Sequence, residues 1–165
     1  MDFMRRFLAV LLVSVGSILM ATGASADQGG GELDGFTIGY LPKGVGGEVA
    51  DFDYEWGDVK FASRVWERQT AEGGYAVDLQ VLVMRGGRLD SPDQLLDFLA
   101  EYHERDAATW ELREFTNGRA RGFISDAEAF WLPEPGVAVE VRADPARFGL
   151  EELRATALGI RRAYG

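Results

Sequence analysis

The stretch from Val59 to Met84, VKFASRVWERQTAEGGYAVDLQVLVM, constrains the fold of this chain more than any other, because it holds two long strand patterns joined by a polar turn ending in Gly73-Gly74. Read at period two, Val59, Phe61 and Val65 share one side of the first strand, and Tyr75, Val77, Leu79, Val81 and Val83 the matching side of the second. That side is expected to be core. The other side alternates Lys60, Ala62, Arg64, Trp66 and Arg68 with Ala76, Asp78, Gln80, Leu82 and Met84, a half-polar surface. If odd positions oppose odd positions, Arg64 falls across from Asp78, and Trp66 stands between Arg64 and Arg68. An arginine-flanked tryptophan on a sheet surface either binds an anionic or aromatic group or satisfies itself by ion pairing and cation–π packing. Arg64, Trp66, Arg68 and Asp78 are therefore the candidate binding residues.

The remaining segments attach to that hairpin in an order that sets the fold class. Phe36, Ile38 and Tyr40 alternate with Thr37 and Gly39, a short strand stopped by Pro42. A loop rich in glycine and acid runs from Lys43 to Asp58, with Phe52, Tyr54 and Trp56 interleaved at period two, so that its last part can pair as an edge strand. Ser91-Pro92-Asp93-Gln94 reads as a helix start: Ser91 caps, Pro92 suits the first helical position and Gln94 has capping-box spacing. Leu95, Leu96, Phe98, Leu99 and Tyr102 give that helix one apolar stripe, with His103 solvated at its end. Trp110, Leu112 and Phe115 suggest a strand reaching Asn117-Gly118, a primed-turn signal, with Ala120 to Ile124 returning beside it. Phe130-Trp131-Leu132, the turn Pro133-Glu134-Pro135-Gly136 and the alternation of Val137, Val139 and Val141 make another hairpin. A closing helix carries Leu150, Leu153, Ala157, Leu158 and Ile160, with Glu151 and Glu152 in its first turn and Arg161-Arg162 in its last. Consecutive strands with two helices predict an α+β fold, a single antiparallel sheet of about six to seven strands with two helices packed on one face.

The N-terminus points to where the protein works. Arg5-Arg6 precede an apolar run from Phe7 to Val13, resumed at Ile18-Leu19-Met20, and Ala24-Ser25-Ala26 supplies an A-x-A cleavage site. This reads as a secretory signal over residues 1–26, then a flexible, glycine-rich leader over 27–34 and one domain over 35–165. The alternative is a signal segment retained as an anchor, which the shortness of the apolar run argues against. The expected location is extracytoplasmic, with a mature domain not embedded in a membrane. Cleavage removes Asp2, Arg5 and Arg6, leaving 15 Lys+Arg against 26 Asp+Glu, a formal charge of −11 where the whole chain has −10. Such an excess repels phosphate backbones, so nucleic acid is not expected as a partner.

Little in the chain is equipped for catalysis. There is no cysteine, which excludes thiol nucleophiles, thiolate ligands and disulfides, and the one histidine is His103. The mature serines are Ser63, Ser91 and Ser125, and no nucleophile-elbow pattern surrounds Ser125. Zinc lacks its ligands. Asp51, Asp53 and Glu55 imitate the first three calcium positions of an EF-hand loop, but Trp56 stands where glycine is needed and Ala62 where the bidentate glutamate belongs. They are the candidate metal ligands, set against a solvated acidic loop or edge strand. No cofactor and no catalytic residue is expected. The reading is a non-catalytic exported domain that binds a protein or envelope component, the alternatives being a carrier of a hydrophobic ligand and a secreted hydrolase.

Three stretches carry a resemblance: GFTIGYLPKGVG (Gly35 to Gly46), FDYEWGDVKFASRVWE (Phe52 to Glu67), and AFWLPEPGVAVEV (Ala129 to Val141) with GLEELRATALGI (Gly149 to Ile160). Together they resemble a family of exported bacterial proteins of unknown function. The last pair is also similar to the C-terminal half of the DUF4367 domain, distantly related to lipoprotein carriers of the LolA and MucB/RseB type. The resemblance implies an extracytoplasmic binding role and defines no catalytic residues. The mature chain is shorter than the open barrel of those carriers, which counts against a lipid cavity here.

Overall fold

A computed structural model describes residues 29–164; the signal segment expected over 1–26 lies outside them. The protein is α+β, built on a seven-stranded antiparallel sheet of two meanders. The first comprises β3 (Glu48–Trp56), β4 (Val59–Gln69) and β5 (Tyr75–Arg85), and the second β6 (Arg113–Asn117), β7 (Ala120–Ile124), β8 (Glu128–Glu134) and β9 (Val137–Ala143). The last strand of each meets the other, giving the order β3-β4-β5-β9-β8-β7-β6, with β3 and β6 at the edges. A second, three-stranded sheet places β2 (Phe36–Ile38) between β1 (Gly31–Leu33) and β10 (Ile160–Arg162). The helices are α1 (Pro92–Tyr102) and α2 (Leu150–Leu158).

Local chemistry accounts for the turns. Asp34-Gly35 and Gly57-Asp58 close the β1–β2 and β3–β4 hairpins with both central residues at positive φ, the backbone of a primed turn matched to strand twist. The β6–β7 turn sits one residue later than the Asn-Gly signal suggests, on Gly118-Arg119, and Pro135-Gly136 joins β8 to β9. Ser91 caps α1 as expected, accepting the Gln94 amide at 3.2 Å with Pro92 opening the helix.

The two helices lie on opposite faces of the large sheet, not on one. Leu95, Phe98 and Leu99 of α1 pack on Val59, Phe61, Leu82, Met84, Phe130 and Leu132. Leu153 and Ala157 of α2, with Leu33, Phe36, Ile38 and Ile160 of the small sheet, cover Trp66, Leu79, Val81, Val83, Trp131, Val139 and Val141. Both faces are therefore core. This overturns the expected face assignment of the central hairpin, because Phe61 opposes Met84 and Ser63 opposes Leu82, odd against even. Val59 and Phe61 share their face with Leu82 and Met84, while Leu79, Val81 and Val83 line the other.

Two segments differ from expectation for identifiable reasons. Gly31–Leu33, expected in a flexible leader, pairs as β1 because Leu33 buries in the core, and Gly30 sits where a Cβ would press on Ile38 and Trp66. Arg161 and Arg162 are not in the last helical turn: α2 stops at Gly159, which fits tightly against Tyr40, and the following residues pair with β2. A Cβ at Gly122 would overlap the carbonyl of Phe130 and lie 2.5 Å from the Cα of Trp131, backbone that cannot swing aside. Gly122→Ala is expected to cost about 3 kcal/mol, read as a lower urea midpoint at unchanged slope.

Candidate functional site

The four residues expected to form a working surface are spent inside the molecule. Trp66 is 3% exposed, in the core beneath Gly30. Arg64 opposes Val81, not Asp78. Its guanidinium makes a two-pronged contact with Asp51, at 2.7 Å to each carboxylate oxygen, and donates to the Gly30 carbonyl. That hydrogen bond to Asp51 leads the effects that raise the Arg64 pKa. The register shifts between Trp66 and Glu67, leaving Asp78 bulged and fully buried. There it accepts from the Gly46 amide at 2.9 Å, Arg68 Nε at 3.0 Å and Arg147 Nη1. The group clamps the 42–47 loop and the segment before α2 onto the sheet.

The candidate metal ligands do not converge. Asp51, Asp53 and Glu55 alternate along one face of β3, on residues spaced about 6.6 Å apart along the strand, and Asp51 is engaged by Arg64. Among the described residues no group of three or more His, Cys, Asp or Glu is placed to hold a metal ion.

His103 is not solvated. It is buried at the end of α1, with Nε2 2.7 Å from Oε1 of Glu140, a fully buried residue of β9. Burial alone would raise the Glu140 pKa; the charge and hydrogen bond of His103, aided by Arg142 and Arg105, outweigh it and hold the carboxyl below the ordinary range. Beside this pair a cleft of about 670 Å³ opens between the loop after α1 and the β7–β8 turn. Arg105 stacks on Trp110 at 4.8 Å and reaches Glu128 Oε1 at 2.5 Å, off the hydrogen-bonding direction. Ser125 Oγ donates to Glu128 Oε2 at 2.7 Å and accepts the amides of Ala127 and Glu128. Ser125 and His103 thus have separate carboxylate partners, and their bonds build a turn and a core contact.

The least satisfied surface is the edge strand β3. It pairs with β4 without a register break from Glu48↔Glu67 to Trp56↔Val59, and among the described residues nothing pairs with its outer edge. Its two faces differ in chemistry. Ala50, Phe52, Tyr54 and Trp56 lie on the α1 side, where Phe52 is 40% exposed and Tyr54 and Trp56 are 36% exposed. Tyr54 stacks on Phe61 at 4.8 Å and its hydroxyl meets that of Tyr102 at 2.8 Å, while Trp56 packs edge-on to Phe98 and Tyr102. Burial, then the neighbouring Tyr102, pushes the Tyr54 pKa up. The result is a rigid aromatic ledge beside an open row of backbone groups. The opposite face carries Val49, Asp51, Asp53 and Glu55, and no ion pair engages Asp53 or Glu55 among the described residues.

Phe52, Tyr54 and Trp56 were legible as an interleaved edge strand, and the Gly57-Asp58 turn signal would have fixed its pairing with β4. Among the described residues no helix is long and apolar enough to cross a membrane. No protein-family model, no curated protein and no solved structure matches the chain.

Proposed function

We propose that this chain is an exported, non-catalytic binding domain that takes an extended segment of a partner protein as an added strand along β3. The observation that carries this reading is the nine-residue, unbroken free edge of β3. Edge strands are usually blunted by proline, bulges, lysine or shortness, because an open row of N–H and C=O groups templates further pairing. β3 contains no proline, bulge or lysine, and the charges it does carry, on Glu48, Asp51, Asp53 and Glu55, are all acidic and so guard the edge against acidic strands alone. Strand addition draws affinity from main-chain hydrogen bonds and specificity from alternate side chains, and the ledge of Phe52, Tyr54 and Trp56 supplies contacts for the latter. Export is supported by the signal-like residues 1–26.

A carrier of hydrophobic ligands is less well supported, because the inward residues of the central hairpin pack into two apolar clusters on either face of the sheet. A hydrolase is less well supported because Ser125 and His103 are engaged with different acids. Selection of nine-residue peptides from a displayed random library on the domain is expected to yield binders that slow amide exchange across residues 48–56. Binders that instead protect residues 105–113 and 125–128, or a selection that yields none, would contradict the reading.

A further inference from the structure

Resting on strand addition at β3, we infer the chemistry of the segment it accepts: alternating basic and apolar residues, with the basic ones on the face of Asp51, Asp53 and Glu55. Opposed residues of adjacent strands point to the same face, so an added strand sets every second side chain beside the acids and the others beside the aromatic ledge. Asp53 opposes Ala62 on β4, which offers it no charge, and Asp51 is already bound to Arg64. Glu55 opposes Lys60 without an ion pair between them among the described residues, so Asp53 and Glu55 are exposed acids on residues spaced about 6.6 Å along one strand face, matched by lysines or arginines at alternate positions of a partner strand. On the other face Tyr54 and Trp56, held by Phe61, Phe98 and Tyr102, and the exposed Phe52 present rings to aliphatic or aromatic side chains.

The same pattern disfavours a second copy of the chain. Two β3 strands paired antiparallel about Phe52 would set Asp51 against Asp53 twice and bring both acidic faces together, in a chain of formal charge −10. The acids therefore act selectively, closing the edge to itself while leaving it open to a basic strand.

Three nonapeptides test this on the full domain by titration calorimetry in low and high salt: alternating Lys-Val, alternating Glu-Val, and Lys-Val of the same composition with lysines and valines in separate blocks. The alternating Lys-Val peptide is expected to bind at least tenfold more tightly than either other peptide, with the margin shrinking in salt. The exposed double variant Asp53→Lys/Glu55→Lys should reverse the preference between the Lys-Val and Glu-Val alternating peptides. Equal binding of those two, with exchange slowed at 48–56, would overturn the charge inference and leave strand addition standing. Binding of none of the three would overturn both. Equal binding by the alternating and block Lys-Val peptides would reduce the contact to general charge attraction and overturn the inference. So would a dimer in sedimentation that Asp53→Lys/Glu55→Lys abolishes.

Discussion

Asp78→Ala is expected to lower the unfolding free energy by about 3–5 kcal/mol, as much as truncating a buried aromatic of the central hairpin. The carboxylate is fully buried at the β5 bulge and holds three donors: the Gly46 amide, Arg68 and Arg147. Its removal takes from Arg68 and Arg147 their shared buried acceptor, leaving Arg68 only the more distant Asp144 and Arg147 only the Gly44 carbonyl, and releases the 42–47 loop, where a Cβ at Gly46 would overlap the Glu67 carbonyl. Asp78→Asn keeps the shape but loses the charge, and should fall between wild type and alanine. Urea unfolding at neutral pH reads both. A loss under 1 kcal/mol for Asp78→Ala would mean that the arginines find water instead and that the clamp does not hold the loops.

His103→Ala is expected to cost a similar about 3–5 kcal/mol, because it removes the group that offsets the burial of Glu140, so that a carboxyl at 0% exposure must either take up a proton or stay charged without its partner. The double variant His103→Leu/Glu140→Leu should recover most of that loss, since apolar side chains of similar volume replace buried ion pairs at little cost. The sign of the pH dependence follows from the same pair. The Glu140 pKa is depressed in the fold below its ordinary 4.5, so its contribution is present above that value and is lost as pH falls through the depressed folded value. Wild type should therefore lose stability below pH 4.5 more steeply than the double variant. Parallel curves would contradict the assignment.

Both residues show where sequence reading stopped. Local signals carried well: the Ser91 cap, the apolar stripe of α1, the hairpin pairs and the α+β class follow from spacing within a few residues. Face assignment did not carry, because period-two alternation reports burial only when one sheet face is wet. Here α1 covers one face and α2 with the small sheet the other, so Glu140, which alternates like a solvent residue between Val139 and Val141, is inside. Its partner His103 is 37 positions away, and no local pattern joins them. The bulge at Asp78 shifts register by one residue, so Trp66 faces Leu79 and shares its side of the sheet with Val81 and Val83; it is buried because the small sheet and α2 cover that side. The leader failed for a related reason: Gly29-Gly30-Gly31 reads as flexible, yet Gly30 is there because Ile38 and Trp66 leave no room for a side chain. The edge strand was visible as interleaved Phe52, Tyr54 and Trp56. Its freedom on the outer side depends on strand order, which only the whole fold determines.

The central claim is that β3 binds by accepting a strand. The most direct measurement is nuclear Overhauser contacts between Hα protons of the tightest-binding nonapeptide, unlabelled, and those of the isotopically labelled domain. Strand addition predicts regularly spaced cross-strand contacts along residues 48–56, with the peptide's alternate side chains touching Phe52, Tyr54 and Trp56. Contacts confined to the Arg105–Trp110 cleft, or side-chain contacts at β3 with no cross-strand Hα series, would contradict it.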